Sequence, residues 1–249
     1  MARNQQILQF INERGHATTI ELSRAFGIGE STARRTLARL ESEGLIERYH
    51  GGALSLRGKQ SLVYSRMRQH SEVKKKIGQA ASRIIPEGST ILLLGGTTIQ
   101  AICPYIREKH LTVITTNMLV FDELKDCANI NLILLGGVYD HQEAELSGNL
   151  PGMNMTHMRS DYLFMGAYSF DEKHGFVVAN FLNQFYHRCM EASDKVCLLI
   201  DSSKYKSGGT TIAAAPEMVD YLFTDSELAE SAKKSFTMQG VQVILCDQE

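Results

Sequence analysis

The chain has 249 residues, with 26 Lys or Arg against 28 Asp or Glu and a formal net charge of −2. No apolar run approaches the roughly 20 residues of a membrane span and the first residues are polar, which predicts neither membrane insertion nor secretion and places the protein in the cytoplasm. The 5 cysteines, Cys103, Cys127, Cys189, Cys197 and Cys246, form no C-x-x-C pair, so buried free thiols are expected and no metal site. Charge is uneven along the chain: residues 1–70 carry eleven Lys or Arg against six Asp or Glu, leaving an acidic remainder. A basic head on an acidic body is the pattern of a nucleic-acid-binding module joined to a domain that binds something else.

Residues 4–14 predict a first helix with Ile7, Leu8, Phe10 and Ile11 apolar. Thr18 and Glu21, three apart, form a candidate capping box for a second helix whose inner face is Ile20, Leu22, Ala25 and Phe26. Gly27-Ile28-Gly29 is a turn, and a third helix spans about 30–43. Ala33, Leu37 and Leu40 line one stripe of it, leaving Ser31, Thr32, Arg34, Arg35 and Arg39 on the open face. Gly44 stands where glycine ends helices. An exposed helix of arginines and small hydroxyls behind a tight turn fits the major groove, where Arg forks onto guanine. Residues 45–48 then predict a strand and 49–52 a wing tip, with Arg48 and His50 as candidate phosphate contacts and two glycines allowing close approach of a DNA backbone.

The stretch STARRTLARLESEGLIERYHGGA resembles the DNA-binding signature of the DeoR family of bacterial transcriptional regulators, through Arg34-Arg35, Leu40-Glu41 and Arg48…His50-Gly51-Gly52-Ala53. It departs at Gly29, usually Ser, at Ala33, usually Ile or Val, and at Thr36, usually Asp. The resemblance implies a winged helix-turn-helix that binds a double-stranded DNA operator.

The segment 58–71, with Lys59, Arg66 and Arg68, is expected as a linker that can also touch phosphates. The domains expected are thus 1–57 for DNA binding and 72–249 for sensing. A helix over 72–85 follows. Beyond it, near-continuous apolar strands are predicted over 90–94, 112–115, 130–135, 162–165, 196–200, 221–224 and 241–245, with helices over 98–107, 120–125, 182–192 and 227–239. This alternation indicates a Rossmann-like, mostly parallel α/β sheet, whose ligands bind beyond the strands' carboxyl ends.

Gly95-Gly96-Thr97-Thr98 follows the first of those strands. Its glycines and hydroxyls, opening onto a helix, form a candidate phosphate cradle without a nucleotide fingerprint. The same GGTTI recurs at 208–212 with no helix after it, so the first copy is preferred. Asn117 and Lys204 follow other strands, and Asn183 and His187 lie four apart on one helix, where they can face one site.

ILLLGGTT, LTVITTN, LLGG, DYLFMGA, RCMEAS and LLIDSSKY resemble the DeoR-family sensor domain, which is similar to sugar-phosphate isomerases. The resemblance implies an effector that is a phosphorylated sugar or related metabolite, held by Gly96, Thr97, Thr98, Asn117 and Lys204, with Asn183 and His187 beside it. Leu94 stands where the family usually has Asp, and Asn183 and His187 where Glu and Lys are typical. Two carboxylates are therefore expected to be missing from the pocket, which argues against proton abstraction, and no catalytic residue or cofactor is expected. A repressor acting as a homo-oligomer, dimer or tetramer, is the function implied; an isomerase with an accessory head is the alternative.

Overall fold

The computed structural model describes residues 2–43, 45–49, 51–55, 62–178, 183–209 and 211–247. The chain forms two compact units, 1–69 and 70–249. Among the described residues no helix is long and apolar enough to cross a membrane, and no group of three His, Cys, Asp or Glu is placed to hold a metal.

The first unit begins with α1 (Ala2–Arg14), β1 (His16–Thr18), α2 (Thr19–Phe26) and α3 (Glu30–Ser42). The capping box forms: the Thr18 hydroxyl accepts from the Glu21 N–H at 3.1 Å, and Glu21 accepts from the Thr18 N–H at 2.7 Å. Ile7, Ile11, Leu22, Ala33, Leu37 and Leu40 close the helical core. Ile20, expected on the inner face of α2, is 52% exposed. It precedes Leu22 by two residues, which turns it to the opposite side of the helix.

The wing is a three-stranded sheet. β2 (Ile46–Tyr49) and β3 (Gly52–Ser55) form the hairpin, and β1 pairs antiparallel with β3. Gly44 and His50 lie outside the described residues. Within the segment expected as a linker, α4 (Leu62–Arg68) forms. Arg68 turns back onto the wing, pairing with Glu47 and donating to the Arg48 carbonyl. Its charge is thus spent inside the unit.

The second unit opens with α5 (Ser71–Arg83), then β4 (Thr90–Leu93), α6 (Thr97–Gln100), β5 (Leu111–Thr115), α7 (Met118–Leu124) and β6 (Ile130–Leu134). A hairpin of β7 (Val138–Asp140) and β8 (Glu145–Ser147) follows, then α8 (Asn149–Met155), β9 (Ser160–Met165), β10 (Ser169–Asp171) and β11 (Gly175–Val178). α9 (Asn183–Glu191), β12 (Ser193–Leu199), β13 (Thr211–Ala214), β14 (Tyr221–Thr224), α10 (Glu230–Met238) and β15 (Gln242–Leu245) complete it. The main sheet is parallel throughout, in the order β15-β14-β12-β9-β4-β5-β6. Its members are the seven segments that the apolar runs predict. Both faces are covered: Ile91 and Leu93 point into one core, Leu92 and Leu94 into the other. The order reverses at β4, whose neighbours are β5 and β9. In open parallel sheets such a switch point, beyond the carboxyl ends of the strands, is where ligands bind.

One expectation changes here. The helix expected over 98–107 is a single turn, α6, followed by a 3-10 turn at Cys103–Tyr105. The second GGTTI runs into β13, which pairs with β11 in a small antiparallel sheet.

Candidate functional site

In the first unit, α3 presents Ser31, Arg34, Arg35 and Arg39 to solvent, with Thr32 half-buried. The arginines are not equivalent. Arg34 is held by Glu30 at 2.8 Å and Arg39 by Glu43 at 2.9 Å, each one helical turn away. Among the described residues Arg35 carries no ion pair. Ser31, Arg35 and Arg39, spaced by four, form one row along the helix.

Arg34 lies to the side, in a cleft it shares with Thr19, Arg48, Tyr49 and Gly51. Arg48 faces Glu41 at 3.6 Å, while its Nε is buried without a hydrogen-bond partner among the described residues. Two guanidinium groups thus line one groove between the start of α2 and the wing. Gly52 has a role other than the one expected. A Cβ there would lie 2.5 Å from the Ala17 carbonyl and 2.6 Å from the Tyr49 hydroxyl. The missing side chain serves the wing's own packing. Tyr49, pressed over it, has its phenol pushed up to about 12 by burial, with Glu21 adding to the shift.

In the second unit the chemistry gathers at the β4–β9 switch point. Gly96 has φ 109°, a backbone conformation glycine adopts freely, and the chain turns there from β4 into α6. Gln100 and Ala101 return hydrogen bonds to the Gly96 and Thr97 carbonyls. The Gly96, Thr97 and Thr98 N–H groups have no intramolecular acceptor among the described residues. A one-turn helix carries little macrodipole, so the loop's capacity for an anion lies in these local donors.

Lys204, in the short turn after β12, reaches across to donate to the Ala167 carbonyl at 3.1 Å, at the end of β9. Gly166 sits beside Gly95: a Cβ on it would be 3.7 Å from the Gly95 carbonyl. The Gly95 loop and the Lys204 ammonium are thereby anchored to adjoining strand ends.

Asn117 is fully buried and its side chain is fully engaged. Its Nδ2 donates to the Leu94 and Gly96 carbonyls, each at 3.2 Å, and its Oδ1 accepts from Leu119 and Val120, capping α7. Asn117 therefore shapes the loop and leaves no donor for a ligand. Asp201, in the loop after β12, and Asp225, at the end of β14, are likewise engaged, accepting from Ser203 and from Ser202 respectively. His187 is half-buried on α9; the Asn183 side chain lies outside the described residues. Leu94 is packed into the core, so no carboxylate stands at that position.

A carboxylate arrives from elsewhere. Glu145, on β8, reaches the Gly95 loop: its Oε1 accepts from the Thr116 hydroxyl at 2.7 Å, and a Cβ on Gly95 would clash directly with its Oε2. Only glycine permits this approach. Burial pushes the Glu145 carboxyl up to about 7, with Glu143 and Asp140 adding to the rise while the Thr116 hydroxyl and Gly95 N–H oppose it. Glu145 was invisible to sequence reading. It is 29 residues from Thr116, in a hairpin that no apolar pattern marks.

The fold defines a class: a winged helix-turn-helix unit followed by a parallel α/β unit whose strand order reverses at β4. Residues 3–59 match the DeoR-like helix-turn-helix domain and residues 69–226 the DeoR C terminal sensor domain. The chain belongs to the DeoR family of DNA-binding transcriptional regulators. It is 31% identical over 244 residues to an uncharacterized HTH-type transcriptional regulator, YulB, of Bacillus subtilis, covering 97% of this chain and 95% of that one. It is 27% identical over 252 residues to the glycerol-3-phosphate regulon repressor of Escherichia coli, covering 98% of each. Among solved structures, ribose 5 phosphate isomerase A from Neisseria gonorrhoeae aligns at 17% identity and a TM-score of 0.39, over 56% of this chain and 55% of that chain.

Proposed function

We propose that this protein represses carbohydrate-metabolism genes and that a phosphorylated sugar or related metabolite releases it from its operator. The observation that carries this is the pairing, in one chain, of the exposed α3 row with an anion-competent loop. The Gly96, Thr97 and Thr98 N–H groups and the Lys204 ammonium supply donors and positive charge to a phosphate. The relative named as a glycerol-3-phosphate regulon repressor supports this choice of effector class. The working species is a homo-oligomer, dimer or tetramer, since one winged unit is a small footprint and paired half-sites raise affinity.

A thermal-shift screen of phosphorylated sugars identifies the ligand, because binding stabilises the folded state. Its release of the protein from DNA is then followed by gel shift. Thr97→Val and Lys204→Met should each keep DNA binding and lose the response. A ligand acts only through differential affinity for two states, so these variants become regulators that cannot be relieved. Retained release in both variants refutes the assignment.

A second reading, an isomerase-type activity, gains one specific support: Glu145 places at the Gly95 loop a carboxyl whose ionisation range suits a general base. Incubating the identified sugar phosphate in deuterated water decides between them. Incorporation of deuterium at carbon with no effect on DNA binding would favour the enzyme.

A further inference from the structure

Glu145 presents an unbalanced charge at the place where the effector is expected. Among the described residues, the groups that act most on its carboxylate are the Thr116 hydroxyl, the Gly95 N–H and two further carboxylates, Glu143 and Asp140. From α9, Tyr186 and Cys189 both have their ionisation pushed up, by burial first and then by Glu145. None of these is a cation. The backbone that carries this carboxylate is held in place. Glu145 bridges to Asn117, and the flanking bonds from Met118 N–H to the Ala144 carbonyl (2.9 Å) and from Leu146 N–H to the Thr116 carbonyl (2.8 Å) pin β8 on both sides.

We propose that Glu145 sets the charge state in which the pocket accepts its effector: a dianionic phosphate ester seats on the Gly95–Thr98 loop only as this carboxylate takes up a proton. The proposal rests on the sensor reading above. Its physical basis is that two anions held a few ångströms apart cannot both stay ionised at low cost, as in paired carboxylates that share a proton. The proton comes from solvent and bonds to a Glu145 oxygen. The protonated carboxyl then offers the ligand a donor in place of a repelling charge. Because Glu145 in the free protein titrates near 7, the proton is available close to neutrality. The effector response is therefore proton-coupled, and the pocket discriminates against a dianion increasingly as pH rises.

Inorganic sulfate is the probe, since it stays a dianion over the whole range and contributes no titration of its own. Calorimetry of the full chain at pH 6 to 8.5, in buffers of different ionisation enthalpy, gives affinity and protons taken up. Lys204→Met serves as the blank for sulfate held by the arginines of the DNA-binding unit. The expected result is an affinity that falls about tenfold between pH 6 and pH 8, with uptake approaching one proton per sulfate at pH 8. Glu145→Gln should bind about tenfold tighter than wild type at pH 8, without uptake and without pH dependence. His187→Gln, which removes the imidazole on α9, should keep the wild-type slope. The uptake measurement needs no variant at Glu145, so a poorly folding Glu145→Gln leaves the proposal testable. Sulfate that binds wild type above the blank with no proton uptake overturns the proposal and leaves the sensor reading standing. No binding above the blank by wild type or by a folded Glu145→Gln overturns the sensor reading, and the proposal with it.

Discussion

Replacing Glu145 by Gln should stabilise the second unit in a pH-dependent manner, with no ligand present. The carboxyl moves from an ordinary value of 4.5 to about 7 on folding. A raised value in the folded state means that its stabilising contribution is complete below about 4.5 and is lost as pH rises through 7. At roughly 1.4 kcal/mol for each tenfold change, the full loss is about 3 kcal/mol. The side chain is only partly buried, and residual solvent contact brings the expected loss between pH 5 and pH 8 to about 2 kcal/mol. Gln keeps the shape and an acceptor for Thr116 but cannot ionise. The difference in stability between Glu145→Gln and wild type should therefore be small at pH 5 and reach about 2 kcal/mol in favour of the variant at pH 8. Denaturant unfolding followed by far-UV circular dichroism measures it at both pH values. The chain has no Trp, so indole fluorescence offers no signal. A difference between the two proteins that does not change with pH would refute the account of Glu145 as an uncompensated carboxylate.

Arg35→Ala should weaken binding to an operator selected from a random-sequence library by about tenfold to a hundredfold, and more than Arg34→Ala, because Glu30 already holds Arg34. Equal losses in a gel-shift series would show that DNA frees Arg34 from its partner. Asn117→Ala should destabilise the second unit by about 2–4 kcal/mol, since it uncaps α7 and leaves buried carbonyls at Leu94 and Gly96 without a donor. A loss under about 1 kcal/mol in chemical unfolding would indicate that water replaces the amide. Thr18→Ala removes half of the α2 capping box and should cost about 1 kcal/mol in the first unit, read as a lower melting temperature.

What the sequence determined by itself is what depends on neighbours along the chain. The Thr18–Glu21 box and the Ala33–Leu37–Leu40 stripe are separations of three and four, and helical geometry alone converts them into contacts. The Glu30–Arg34 and Arg39–Glu43 pairs on α3 obey the same spacing and were open to the same reasoning. The seven sheet strands were legible because a strand buried on both faces must be apolar at every position, as Ile91-Leu92-Leu93-Leu94 shows. Gly95 to Thr98 could be marked as a loop after such a strand.

Only the tertiary structure decided which groups meet across that loop. Arg68 looked like a free cation in a linker, and α4 folds it back onto Glu47. Asn117 looked like a ligand contact, yet the carbonyls of Leu94 and Gly96, 23 and 21 residues away, consume its amide. Leu94 suggested a pocket without a carboxylate, and β8 delivers Glu145 to it from well beyond β5 and β6. The physical reason is common to all three. A side chain's charge and hydrogen-bonding capacity are settled by desolvation and by partners brought in through chain closure over tens of residues, and neither leaves a period in the sequence.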